Sequence, residues 1–315
     1  ELLVEMLNEY FEKMVETNDQ WIVERTGIKE RHIAAPEQAS SDLAVEASKK
    51  ALEMAGLKAE DLDLIVVGTI SPDYQFPSCA AVVQGKLGNK KAFVFDVSAA
   101  CAGSLYALSV ADRFVATGAV RNALVIGVET LSRITDWTDR NTCVLFGDGA
   151  GAMVLQPTED DRRGLRSIKL HTDGSLVPIL LMPGGGSKEP INQALIDAKS
   201  HYVKMNGREV FKVAVRALDD SCREALAVEK LSPSDVTWVC AHQATKRIID
   251  ATLERLGIPQ EKCWMNVHKY GNTSSASVPM TLDEANRAGW LKPGDVVLMT
   301  AIGAGMAWGA GVIRW

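Results

Sequence analysis

The chain has 315 residues, 47% of them hydrophobic, with 34 basic against 40 acidic side chains and a net charge of −6. This composition supports one large double core or two fused domains and excludes disordered and fibrous classes. The acidic balance excludes a general affinity for nucleic acid or anionic membrane, so any basic site must be local. Cys79, Cys101, Cys143, Cys222, Cys240 and Cys263 are too sparse for a secreted disulfide scaffold and form no CxxC pair of a zinc site. They are expected to be reduced thiols of a cytoplasmic protein without a metal. No basic start, apolar middle and small-residue cleavage site opens the chain at Glu1, so no secretory signal is expected.

In chain order, helical spacing of small and apolar residues predicts a helix over Asp42–Ala55, then buried strands at Leu64–Val67 and Phe93–Phe95. A helix over Ala102–Thr117 and a strand at Ala123–Ile126 follow. After a turn-rich stretch come a helix over Val213–Ala227, a strand at Val236–Cys240 and helices over Lys246–Leu256 and Ser277–Ala288. A last strand is expected at Val296–Met299. Strand and helix alternate, as in an α/β protein with mainly parallel inner sheets. Val296–Ile313 runs uncharged for 18 residues, but Gly303, Gly305, Gly309 and Gly311 interrupt it. Two buried strands joined by a glycine turn fit that stretch better than a membrane span.

The halves repeat. Leu57-Lys-Ala-Glu-Asp-Leu and Leu231-Ser-Pro-Ser-Asp-Val each precede a strand, 174 residues apart; Gly118 and Gly289 each end a helix, 171 apart. Glycine-rich hairpins, Phe146-Gly-Asp-Gly-Ala-Gly and Ala307-Trp-Gly-Ala-Gly, close both halves in the same order. The reading is a first half over 1–156, connecting and covering loops over 157–206, and a second half over 207–315. Pro183-Gly-Gly-Gly-Ser-Lys-Glu-Pro190 has no helix with Lys-Ser or Lys-Thr after it and reads as an exposed loop, not a phosphate loop.

Three segments carry candidate chemistry. Phe93-Val-Phe-Asp-Val-Ser-Ala-Ala-Cys101 reads as strand, small-residue turn and helix start, which places a thiol at a helix N-terminus, where the dipole and free N–H groups favour the thiolate. Taken alone, such a segment is more often a small buried cysteine than a catalytic one. His242 follows a strand, at the edge where open α/β sheets bind ligands, although a lone histidine can be structural. Asn272, in a polar turn before a helix, can donate through its amide or merely cap the helix. Cys101 and Asn272 differ by 171, so related halves would set them at equivalent helix starts facing one pocket.

Taken together, Asp96-Val-Ser-Ala-Ala-Cys101-Ala-Gly, His242-Gln-Ala, His268-Lys-Tyr-Gly-Asn272-Thr-Ser and Gly303-Ala-Gly-Met-Ala-Trp308-Gly resemble the motifs of the β-ketoacyl-acyl-carrier-protein synthase III family. The likeness extends to Trp21-Ile-Val-Glu-Arg25-Thr-Gly-Ile, Phe76-Pro-Ser, Thr138-Asp-Arg140 and Asn206-Gly-Arg-Glu-Val-Phe211. The resemblance implies a thiolase-like fold: duplicated βαβαβαββ halves in a layered α-β-α-β-α sandwich. It implies a homodimer that condenses an acyl-coenzyme A primer with malonyl-acyl-carrier protein and needs no cofactor beyond these substrates. Cys101 would be the nucleophile, with His242 and Asn272 stabilising an enolate and the backbone N–H groups of Cys101 and Ala304 holding the oxyanion.

By resemblance, Trp21, Arg25, Arg140, Gly207 and Phe211 would contact coenzyme A, while Lys212, Gln243, Lys246 and Arg247 would receive the carrier protein. Phe76 would reach the partner's acyl pocket. The arginines and lysines could instead belong to a solvated face. Three departures stand out. The family's opening strand, with its glycine-rich turn, is not visible before Glu1–Asn18, and loss of a sheet strand would expose an edge. Thr245 stands where asparagine often follows His-Gln-Ala. Ile302 and Ala304 replace an aromatic residue and a glycine, the latter tolerable if its φ is negative. A condensing enzyme of a polyketide, hydrocarbon or signalling pathway, or a cysteine hydrolase, remains an alternative.

Overall fold

The computed structural model describes residues 3–315. An outer ribbon pairs β1 (Leu3–Leu7) antiparallel with β2 (Glu30–Ala34), and α1 (Asp19–Thr26) lies between them in sequence. The first half continues through α2 (Ser40–Ala55), β3 (Leu64–Gly68), α3 (Cys79–Leu87), β4 (Phe93–Val97), α4 (Gly103–Ala116), β5 (Ala123–Glu129), the short α5 (Arg140–Cys143) and β6 (Gly149–Leu155). Its sheet has the order β4-β3-β5-β6, parallel except for the β5–β6 pair.

The connecting stretch holds β7 (Gly164–Thr172), β8 (Leu180–Leu181), α6 (Gln193–Asp197) and β9 (Lys204–Met205), with β8 and β9 forming a two-stranded ribbon. The second half comprises α7 (Gly207–Val228), β10 (Trp238–Ala241), α8 (Lys246–Leu256), α9 (Val267–Tyr270), α10 (Ser277–Arg287), β11 (Val296–Gly303) and β12 (Ala307–Arg314). Its sheet runs β10-β11-β12-β7.

Period-2 alternation on fully buried strands builds the layers. Leu64, Val66 and Val125 face inward with Val297 and Met299, around Leu105, Leu108, Val278 and Leu282 of the central helices α4 and α10. The alternate residues Ile65, Val67, Leu124 and Ile126 pack under α2 and α3. Val296 and Leu298 pack under α7 and α8 with Leu226 and Leu253. The result is the expected α-β-α-β-α sandwich.

The expected helices lie within a few residues of their reading, except that α7 begins at Gly207, because the Asn206 side chain accepts from the Glu209 N–H and caps it. The stretch 157–206 is not only covering loop. Within it, β7 pairs antiparallel with β12 as a full member of the second sheet. A register shift opposite Val312 and Ile313 switches which face its residues meet, so the strand does not read as alternating. Val296–Ile313 forms the hairpin of β11 and β12, and among the described residues no helix is long and apolar enough to cross a membrane. Among the described residues no strand pairs with the outer side of β6 in the way that β7 pairs with β12.

Candidate active site

β4 delivers the chain into a 3-10 turn, Ala100–Ala102, from which α4 rises, and Cys101 sits in that turn. Ala100 adopts a left-handed φ of 46°. The turn is seated on the other half: a Cβ at Gly303 of β11 would collide with the Cys101 backbone nitrogen. Cys101 is half-buried and its exposed surface lines a cavity. Its acidity departs from the sequence expectation. Burial pushes the thiol up to about 12, opposed by the Ser274 hydroxyl and a backbone N–H and reinforced by the Glu129 carboxylate. Burial thus favours the protonated thiol, against the thiolate that the helix start was expected to favour.

His242 follows β10, its N–H donating to the Thr300 carbonyl at 2.7 Å. Burial holds the imidazole neutral, with its pKa lowered to about 3. Nδ1 lies 2.6 Å from the Ser277 hydroxyl, which also lies 2.8 Å from the Ser274 carbonyl. In the tautomer in which Ser277 donates to Nδ1, Nε2 carries the N–H.

Asn272 leaves α9 in extended backbone, pairing with Phe146 of the first half: its N–H donates to the Leu145 carbonyl at 2.9 Å, and its carbonyl accepts from the Gly147 N–H at 3.0 Å. The side-chain Oδ1 accepts from the Ser274 N–H at 2.9 Å, which turns the amide nitrogen away from that turn. Cys101, His242 and Asn272 all line one cavity of about 990 Å³, together with Ala304. Leu131, Phe146, Leu180, Val203, Met205 and Ile302 supply apolar wall.

The equivalence inferred from the repeat needs correction. The left-handed residues are Ala100 and Ser274, 174 apart, so Cys101 corresponds to Ser275 in the turn Ser274–Ala276, not to Asn272. The spacing of 171 returns at the helix ends because α4 has 14 residues and α10 has 11.

Trp21, Arg25, Gly207, Phe211, Lys212 and Arg247 also line the cavity. The Arg25 and Arg140 guanidiniums lie 4.7 and 4.8 Å from the Trp21 ring, and Arg140 also donates to the Glu16 carbonyl. Arg247 lies 5.6 Å from the Phe211 ring. Lys212 pairs with Glu209 and Lys246 with Asp250, whereas Arg247 has no ion pair among the described residues. Gln243 is misplaced as a carrier-protein contact. It is 1% exposed, and its amide accepts from the Asn266 and Val267 N–H groups and donates to the Ala241 and Trp264 carbonyls. Phe76 is 87% exposed and is not part of this chain's cavity wall. Thr245 caps α8, accepting from the Ile248 N–H. Ala304 avoids the left-handed region, as its tolerance required.

Sequence reasoning passed over Ser274, Ser277 and Glu129. The signal for the last was available: a carboxylate ending an otherwise wholly apolar strand, Ala123–Val128.

Comparison with known proteins bears on the whole chain. The family model described as 3-oxoacyl-[acyl-carrier-protein (ACP)] synthase III matches residues 95–174, and its C-terminal counterpart matches residues 226–315. The β-ketoacyl-[acyl-carrier-protein] synthase III of Caldanaerobacter subterraneus is 51% identical over 304 residues, covering 96% of this chain and 92% of that one. The enzyme of the same name from Xanthomonas campestris is 50% identical over 312 residues, covering 98% and 94%. The crystal structure of 3-oxoacyl-[acyl-carrier-protein] synthase III from Aquifex aeolicus superposes with a TM-score of 0.91 at 46% identity, over 99% of this chain and 96% of that one. With relatives this similar spanning nearly its full length, the chain belongs to the β-ketoacyl-acyl-carrier-protein synthase III family.

Proposed function

We propose that the chain is an acyltransferase that joins an acyl-coenzyme A primer to malonyl-acyl-carrier protein through an acyl-Cys101 thioester, initiating fatty acid synthesis. The observation that carries this reading is the meeting of Cys101, His242 and Asn272 on one largely apolar cavity. Cys101 sulfur attacks the primer carbonyl as its proton departs, the oxyanion is held by the Cys101 and Ala304 N–H groups, and coenzyme A leaves as the thiol. Malonyl thioester then loses carbon dioxide. The enolate oxygen is held by His242 Nε2–H and the Asn272 amide, and the enolate carbon attacks acyl-Cys101. The 3-oxoacyl product departs and Cys101 recovers its proton.

Trp21, Arg25, Gly207 and Phe211 on the cavity wall, with Arg140 against the Trp21 ring, receive coenzyme A. Lys212, Lys246 and Arg247 form the landing patch for the acidic carrier protein, with Arg247 the uncommitted charge. The exposure of Phe76 supports a homodimer in which this ring closes the partner's acyl pocket. Six sparse cysteines, none of them paired, fit a cytoplasmic location, and the reaction calls for no cofactor beyond its substrates.

Incubation with acyl-coenzyme A should add one acyl mass to the protein, and Cys101→Ala should abolish the addition. Malonyl-carrier protein should then yield a 3-oxoacyl product. Acylation surviving the substitution refutes Cys101 as nucleophile, and release of free acid would favour hydrolysis, which an apolar cavity opposes.

A further inference from the structure

The mechanism above leaves one buried ionisable group unused. Glu129 ends β5, is fully buried, and has no cation beside it among the described residues. An uncompensated carboxylate in a core is costly, and its surroundings show what offsets the cost. Oε1 accepts from the Ser274 hydroxyl at 3.1 Å and from the Ile70 N–H at 3.3 Å. Oε2 accepts from the same N–H at 3.1 Å, the Thr69 hydroxyl at 3.2 Å and the Ser71 hydroxyl at 2.5 Å. Four donors converge on two oxygens. Only the ionised form can accept from all of them, because a proton on either oxygen would face a donor.

This cluster also reaches the reacting groups. Ser274, gripped through its hydroxyl, uses its backbone N–H to hold the Asn272 Oδ1 at 2.9 Å, and it is held in a left-handed conformation, φ 50°. We propose that Glu129 is a positioning residue for condensation: its carboxylate clamps Ser274, which in turn fixes the Asn272 amide so that its nitrogen meets the enolate. The inference rests on the function proposed above.

The same carboxylate works against the first half-reaction, since its charge disfavours the Cys101 thiolate. Removing that charge should therefore separate the two half-reactions. Burial raises the Glu129 carboxyl to about 7. The titratable groups that feel its charge are the thiols of Cys101 and Cys79, both pushed up by burial, and His242 stays neutral down to about 3. None of these titrates near neutrality. A fall in condensation rate as pH drops through about 7 would thus report protonation of Glu129 and loss of the clamp.

The test uses the full chain and Glu129→Gln. Acylation of Cys101 by acyl-coenzyme A is followed by rapid quench and intact mass, and condensation with malonyl-carrier protein is followed as kcat and KM from pH 5.5 to 8.5. Expected are a kcat for condensation lower by roughly tenfold to a hundredfold, a KM within about twofold, acylation as fast as wild type or faster, and loss of the acid limb. Equal slowing of both half-reactions, or an unchanged kcat with the limb intact, overturns the proposal. Ser274→Ala keeps the carboxylate and the backbone N–H but cuts the clamp, and it carries the test if Glu129→Gln does not fold. It should slow condensation selectively, and equal losses in both steps refute the clamp. A wild-type protein that forms no acyl-Cys101 would instead sink the underlying function.

Discussion

The two halves share one plan and put it to different uses. In each, a left-handed residue opens a 3-10 turn and a central helix: Ala100, Cys101 and α4 in the first, Ser274, Ser275 and α10 in the second. Each turn rests on a glycine of the opposite half. Gly303 lies under Cys101, and a Cβ at Gly127 would collide with the Ser275 carbonyl. The occupants then diverge. Cys101 opens onto the cavity, whereas the Ser275 hydroxyl is buried and donates to the Gly68 carbonyl at 2.7 Å. The strand ends diverge too, with a glycine closing β11 and a carboxylate closing β5. Duplication supplies the frame, and single residues decide which turn performs covalent chemistry and which one braces it.

The sharpest way to break this division is Asn272→Ala. Condensation should fall by roughly a hundredfold while acyl-Cys101 still forms, as separate assays of the two half-reactions would show. Comparable losses in both steps would mean that the second half does more than brace the enolate. Next come the seats. Gly303→Ala and Gly127→Ala should each cost about 2–3 kcal/mol in urea unfolding, because the added methyl meets backbone rather than a side chain that can move. A cost below about 0.5 kcal/mol would show that the turns float.

A smaller effect follows from His242. Its folded pKa lies below the unfolded value of about 6.5, so the unfolded chain binds the extra proton. Its contribution to stability is therefore present above pH 6.5 and is lost as pH falls, by about 1 kcal/mol per pH unit. His242→Asn should flatten that slope in urea midpoints measured between pH 7 and 5, and an unchanged slope would place the proton elsewhere. Smallest is Ser275→Ala, the counterpart of the nucleophile. It should cost about 1 kcal/mol and leave both half-reactions nearly intact, and a strong loss of turnover would mean that the two turns are less distinct than their burial suggests.

Much of this was legible in the sequence. Buried strands read as continuous apolar runs and the glycine-broken tail as a hairpin, since both signals are local. The segments bearing Cys101, His242 and Asn272 stood out because each joins a strand or turn to a helix start. What escaped was set by distant partners. β7 hid behind a register shift opposite Val312, and Gln243 faces inward because four backbone groups that only the fold brings together occupy its amide. The repeat was visible, but α10 is three residues shorter than α4, so the spacing read at the helix ends paired Cys101 with the wrong position.

The connecting stretch has a consequence for how such a protein can change over generations. Anchored at one end by β7 against β12, it returns over the cavity with Leu180, Met182, Val203 and Met205, while the reacting groups sit on strand ends and helix starts of the two halves. Lengthening, shortening or repacking this stretch alters the room beside the sulfur without disturbing the turn that aims it. Chemistry and fit are thereby inherited separately, and lineages can explore new acyl shapes while the bond-forming machinery stays fixed.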